Sequence, residues 1–140
     1  MSLKDEVCTV EYAKSLKALG VPQVSSLQWV EAAWKYEINT NLEKKIIETK
    51  VELVMGNHSS ITDIIDVWAA YTIGELMELM PLINGTPLQL IKGATIIEGM
   101  IYAARYDNVC ENFTDTNPAN CLARMFIHII NNKWYRHARD

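Results

Sequence analysis

The sequence predicts an α+β fold in which an antiparallel sheet, built from two hairpins, carries the N- and C-terminal helices on one of its faces. Three observations predict it. A segment with clear helix start and stop signals lies near each end of the chain, at Thr9 to Gly20 and at Asn117 to Trp134. Between them, two stretches alternate apolar with polar residues on either side of turn-forming residues, the pattern of half-buried strands joined as hairpins. No repeat, low-complexity run or linker divides the 140 residues, so residues 1–140 read as one domain, long enough to bury a core without disulfides or a structural metal.

The first helix runs from Val10 to about Leu19, with Thr9 as its cap. Tyr12, Ala13, Leu16 and Leu19 share one face and Lys14 and Lys17 the other; Gly20, followed by Val21 and Pro22, stops it. From Ser25 the helical spacing disappears. Trp34, Tyr36 and Ile38 alternate with Lys35 and Glu37, which predicts a strand with those three side chains on its buried face, begun as early as Leu27 or Trp29. Asn39-Thr40-Asn41 forms the turn, and Ile47, Thr49, Val51, Leu53 and Met55 form the returning strand. Leu42, Ile46, Thr49 and Leu53 also fit helical spacing, but the β-branched content favours the strand.

Gly56 to Ser59 reads as a loop, and Ser60 with Asp63 as the cap of a short helix through Ile61, Ile64, Ile65 and Trp68. Thr72 and Glu75 make a capping box for another short helix, Ile73 to Met80, closed by Pro81. Pro87 to Ile91 and Gly99 to Tyr106 form the second hairpin around Lys92-Gly93-Ala94-Thr95, and Asp107 to Thr116 is a polar loop. In the last helix Asn117 caps and Pro118 occupies the first position, where no N–H is needed. Ala119, Leu122, Ala123, Met125, Phe126, Ile127, Ile129, Ile130 and Trp134 then fall on one arc about 200° wide, opposite Asn120, Arg124, His128 and Asn131. That width exceeds what one sheet face covers, so a second neighbour is expected: the first helix, or a second copy of the chain across a twofold axis.

Composition narrows the function classes. Hydrophobic residues at 49% and charged residues at 21%, with a net charge of -4, describe an ordinary globular protein with no broad basic footprint for duplex DNA. No apolar run is long enough to cross a membrane, and the first residues lack the pattern of a signal peptide. Three cysteines, Cys8, Cys110 and Cys121, form no CxxC pair, as expected for reduced thiols in a cytoplasm.

Candidate chemistry is sparse. His58 neighbours Ser59, Ser60, Asp63 and Asp66, but no GxSxG or glycine-rich context supports a nucleophile there. Cys121 and His128 are two helical turns apart, about 10 Å, too far to share one zinc ion comfortably. Glu75 and Glu78 share a helix face, where Glu75 is better explained by the capping box. The tail Lys133-Trp134-Tyr135-Arg136-His137-Ala138-Arg139 interleaves aromatic and basic residues as single-strand nucleic-acid binders do, although cations also suit a helix C-terminus. No cofactor or metal ligand set is expected. Phe126, Trp134, Tyr135, Arg136 and Arg139 are the residues singled out as an interaction surface.

Three blocks taken in order resemble a group of small uncharacterised proteins encoded by bacteriophages and prophages. They are Glu11-Tyr12-Ala13-Lys14 with Leu16-Lys17 and Leu19-Gly20-Val21-Pro22-Gln23; Tyr71-Thr72 with Glu75-Leu76 and Met80-Pro81; and the closing helix from Asn117-Pro118-Ala119 to Asn132-Lys133. The chain departs from the group's usual look at Met77, where Gly is common, and at Cys121 and Leu122. The resemblance implies a phage or prophage origin and a bacterial cytoplasm as working compartment, and it brings no catalytic residue. The expected function is that of a non-enzymatic phage accessory protein that binds a host or phage protein. A small hydrolase whose site assembles only in three dimensions, a single-strand nucleic-acid binder using the tail, and a homodimer are the competing expectations.

Overall fold

The computed structural model describes residues 3–55, 61, 63–95, 99–107 and 111–132, which form a mixed α+β fold with two three-stranded antiparallel sheets and three α-helices. The elements are α1 (Val10–Ala18), β1 (Leu27–Ile38), β2 (Lys44–Met55), β3 (Ile64–Ala69), α2 (Ile73–Leu79), β4 (Gln89–Thr95), β5 (Gly99–Arg105), β6 (Phe113–Asp115) and α3 (Pro118–Asn131). β1 pairs antiparallel with β2 and β4 with β5, but the two pairs lie in separate sheets and not in the single sheet expected. One sheet has the order β2-β1-β3 and the other β4-β5-β6, each hairpin gaining a third strand that the sequence did not announce.

The terminal signals act as chemistry requires. At the end of α1, Gly20 takes φ +85°, and the N–H groups of Gly20 and Val21 donate to the carbonyls of Lys17 and Leu16 at 3.0 and 3.1 Å, closing a Schellman motif. In α2, Thr72 Oγ1 accepts from the Glu75 N–H while the Glu75 carboxylate accepts from the Thr72 N–H, the reciprocal capping box. Asn117 Oδ1 accepts from the N–H groups of Ala119 and Asn120 at the start of α3.

Four local expectations are corrected. Most of the stretch expected as a helix from Ile61 to Trp68 is β3: Asp63, which a cap at Ser60 would have placed in helical geometry at the third position, takes φ +59°, and its carbonyl accepts from the Ala33 N–H, so pairing with β1 captures the chain. Lys92 to Thr95 continue β4 instead of turning, because positive φ falls at Gly99 and not at Gly93, which lets the ladder run to Thr95 opposite Gly99. Phe113 to Asp115, expected as loop, pair with Tyr102 to Ala104 as β6. Asn120, expected on the outer side of the last helix, is only 7% exposed and accepts the Thr9 N–H at 2.7 Å.

That last bond, with Asn117 Nδ2 donating to the Val7 carbonyl at 3.0 Å, ties the first turn of α3 to the segment leading into α1. The core gathers around α3. Leu122, Met125, Phe126 and Ile129 are wholly buried, and α1, α2, β5 and β6 all pack on the helix, so its surplus apolar face is taken up within the chain. Among the described residues no helix is long and apolar enough to cross a membrane.

Candidate interaction surface

The β1–β2 hairpin outgrows its support. β3 pairs only with Gln28 to Ala32 of β1, whereas β2 follows β1 to Ile38, so beyond Ala33 the hairpin is a two-stranded ribbon. Its register shifts between Ala33 and Lys35 and again between Lys35 and Tyr36, leaving Trp34 and Ile47 without direct partners, and such bulges re-aim side chains. The predicted buried face of this strand is therefore misplaced. Leu27, Trp29, Val30 and Ala33 are buried, while Trp34 is 57% exposed and Ile38 66% exposed, where among the described residues β1 pairs with β2 alone. The alternation was real, but its cover was not.

Strand geometry divides the near half of this sheet into two faces. Leu27, Trp29, Val51, Leu53 and Trp68 point into the main core, and the Trp29 indole N–H donates to the Cys8 carbonyl at 2.9 Å. Val30, Ala32, Lys50 and Glu52 point outward and, with Ala33, Trp34, Tyr36, Ile61 and Asp63, line a cavity of about 450 Å³. Small apolar residues form the floor and two aromatic rings a wall. Lys50 and Glu52 form an ion pair at 3.0 Å on the rim, and Lys44 Nζ sits 3.7 Å from the centre of the Tyr36 ring.

The Tyr36 hydroxyl donates to the Ala33 carbonyl at 3.4 Å, and the neighbouring Asp63 carboxylate pushes its pKa up to about 12, so it remains a protonated donor at neutral pH. Asp63 occupies the left-handed region, an uncommon place for a residue with a side chain, and one that recurs where a backbone is held for a purpose. The site offers aromatic surface, one carboxylate and one ion pair.

The sequence candidates fall elsewhere. Phe126 is wholly buried in the core and presents no surface in the folded chain, which corrects its assignment as a contact residue; an apolar helix face with four covering elements is core. Trp134, Tyr135, Arg136 and Arg139 lie outside the described residues, as do His58, Ser59, Ser60 and Cys110. Asp63 lines the cavity, whereas Asp66 forms an exposed ion pair with Lys17 at 2.8 Å. The Cys121 thiol is buried and donates to the Phe113 carbonyl at 2.9 Å; burial pushes its pKa up to about 11. His128 lies 3.4 Å from Glu111 and against the Phe113 ring, so the two helix residues do not converge. Glu75 serves the capping box and also accepts from the Ser25 hydroxyl and the Ser26 N–H, while Glu78 is exposed. The alternation of Trp34 with Tyr36 was the one signal in the sequence for the cavity, and it pointed to the right side chains with the wrong surroundings.

No family model, no curated protein sequence and no solved structure matches the chain.

Proposed function

We propose that the chain is a phage- or prophage-encoded accessory protein of the bacterial cytoplasm, without a catalytic step of its own, that binds a host or phage protein through the outer face of the β1–β2–β3 sheet. The phage origin rests on the three sequence blocks described above. The observation that carries the binding reading is the gathering of exposed large apolar side chains on the cavity side of one sheet: Trp34, Ile38, Ile46, which pairs with Tyr36, and Ile64, which pairs with Ala32, beside a cavity walled by Trp34 and Tyr36. Contiguous exposed apolar surface rimmed by polar groups marks interaction sites, and tryptophan and tyrosine are the residues on which interface energy concentrates.

The test is capture from bacterial lysate with the tagged full chain, run in parallel with Trp34→Ala. Recovery of one protein in stoichiometric amount by the parent chain, and its loss with Trp34→Ala, is the expected result. Equal recovery by both chains would remove this face from consideration.

A further inference from the structure

The two edges of the β2-β1-β3 sheet are finished differently. Along β3 the outward backbone groups are occupied by side chains: the Ala69 N–H donates to Gln23 Oε1 at 2.9 Å, the Val67 N–H to the Asp66 carboxylate at 2.8 Å, and the Val67 carbonyl accepts from Lys17 Nζ at 3.0 Å. An edge closed in this way cannot accept another strand. Along β2, which pairs only with β1, no such closure exists among the described residues, and the strand runs from Lys44 to Met55 without Pro or Gly.

We infer that the β2 edge pairs with the β2 edge of a second copy of this chain, antiparallel about a twofold axis at Val51, to make one continuous six-stranded sheet. An antiparallel pairing of identical strands must be centred on a residue facing its own copy. Centring it on Glu48, Lys50 or Glu52 sets like charges face to face, and centring it on Ile47 opposes Lys44 to the second copy's Lys50. The Thr49 centre sets three charges against apolar side chains: Glu52 against Ile46, Lys45 against Leu53 and Lys44 against Val54. Between Ile47 and Met55 the Val51 centre leaves one such mismatch, Glu48 against Val54, and matches charge with charge and apolar with apolar at the exposed positions on either side of the axis.

On the outer face it opposes Lys50 to the second copy's Glu52, and Glu52 to its Lys50, turning the ion pair already present within one strand at 3.0 Å into a square of alternating charge. On the inner face it opposes Ile47, 52% exposed, to the second copy's Met55, 65% exposed, so each covers an apolar side chain that is otherwise in water. Charge and apolar exposure select the same register independently. The β1–β2 ladder is unbroken from Thr49 to Met55, so the central part of the edge is straight enough to pair. Since the axis stands perpendicular to the sheet, the two Trp34 cavities open on the same side, and a dimer presents them as a bivalent surface. The inference stands apart from the binding reading, since it concerns the sheet edge and not the cavity.

The test is the mass of the full chain in solution by size exclusion with light scattering at micromolar concentration, for the parent, for Lys50→Glu and for Glu52→Lys. The expected result is a dimer for the parent and a monomer for each variant alone, with circular dichroism like that of the parent. An equimolar mixture of the two variants should return to the dimer mass, because the Val51 register then opposes two acidic to two basic side chains on both sides of the axis. Mixing cannot repair the ion pair within either chain, so recovery reports the contact between copies. A monomeric parent, variants that stay dimeric, or a mixture that stays monomeric would each overturn the inference.

Discussion

Helix α3 and the far half of the β1–β2 hairpin both carry large apolar side chains at regular spacing, and the fold treats them in opposite ways. Met125, Phe126 and Ile129 lose all contact with solvent, whereas Trp34, Ile38, Ile46 and Ile47 remain substantially exposed. Apolar content does not separate the two regions. The number of neighbouring elements does: among the described residues α3 is enclosed by α1, α2, β5 and β6, and the ribbon beyond Ala33 has only its own two strands. Burial stabilises in proportion to the surface removed from water, so the helix anchors the fold and the ribbon contributes little to it.

The comparison breaks most directly at Phe126. Phe126→Ala removes a wholly buried ring from the centre of the core, with an expected loss of about 3–5 kcal/mol. A urea titration should show the midpoint falling with an unchanged slope. A loss below about 1 kcal/mol would mean that α3 is not the anchor described here.

Glu75 is an intermediate case, a polar clamp at the supported entry of the hairpin. Its carboxylate accepts from the Ser25 hydroxyl at 2.7 Å, the Thr72 N–H at 2.9 Å and the Ser26 N–H at 3.0 Å, fastening the entry of β1 to α2. Burial alone would raise its pKa, but these donors outweigh burial and hold it below the usual carboxylate value. A lowered folded pKa places the stabilisation above the unfolded value and removes it as pH falls through the folded one. Glu75→Gln should therefore cost about 1–3 kcal/mol at neutral pH and lose less stability than the parent on acidification, both readable from urea titrations across pH.

The features legible in the sequence are those whose cause is local. Gly20 stops α1, Thr72 and Glu75 cap α2, and Asn117 with Pro118 opens α3, because each acts on backbone groups within a few residues. Features decided by distant neighbours were not legible. Asn120 looks like a solvated helix residue until the Thr9 N–H arrives from far along the chain, and Asp63 looks like a helix cap until β1 takes its carbonyl. The cavity belongs to the second kind: Trp34 and Tyr36 were visible as a pair, but Asp63 and Ile61 reach them only through β3 pairing, which no spacing announced.

Trp34 sharpens the comparison from the other side. A tryptophan in a core would cost several kcal/mol on truncation, but this one keeps 57% of its surface in water and stands where the third strand has already ended. Trp34→Ala should accordingly shift stability by no more than about 1 kcal/mol, the range of substitutions outside a packed core, in the same urea titration that shows the large loss at Phe126. A large exposed aromatic that stability does not require, on a ribbon that no third strand covers among the described residues, is what the proposed binding face calls for. If Trp34→Ala instead destabilised the chain as Phe126→Ala does, the ribbon would belong to the core and its exposed face would lose its claim as a surface for recognition.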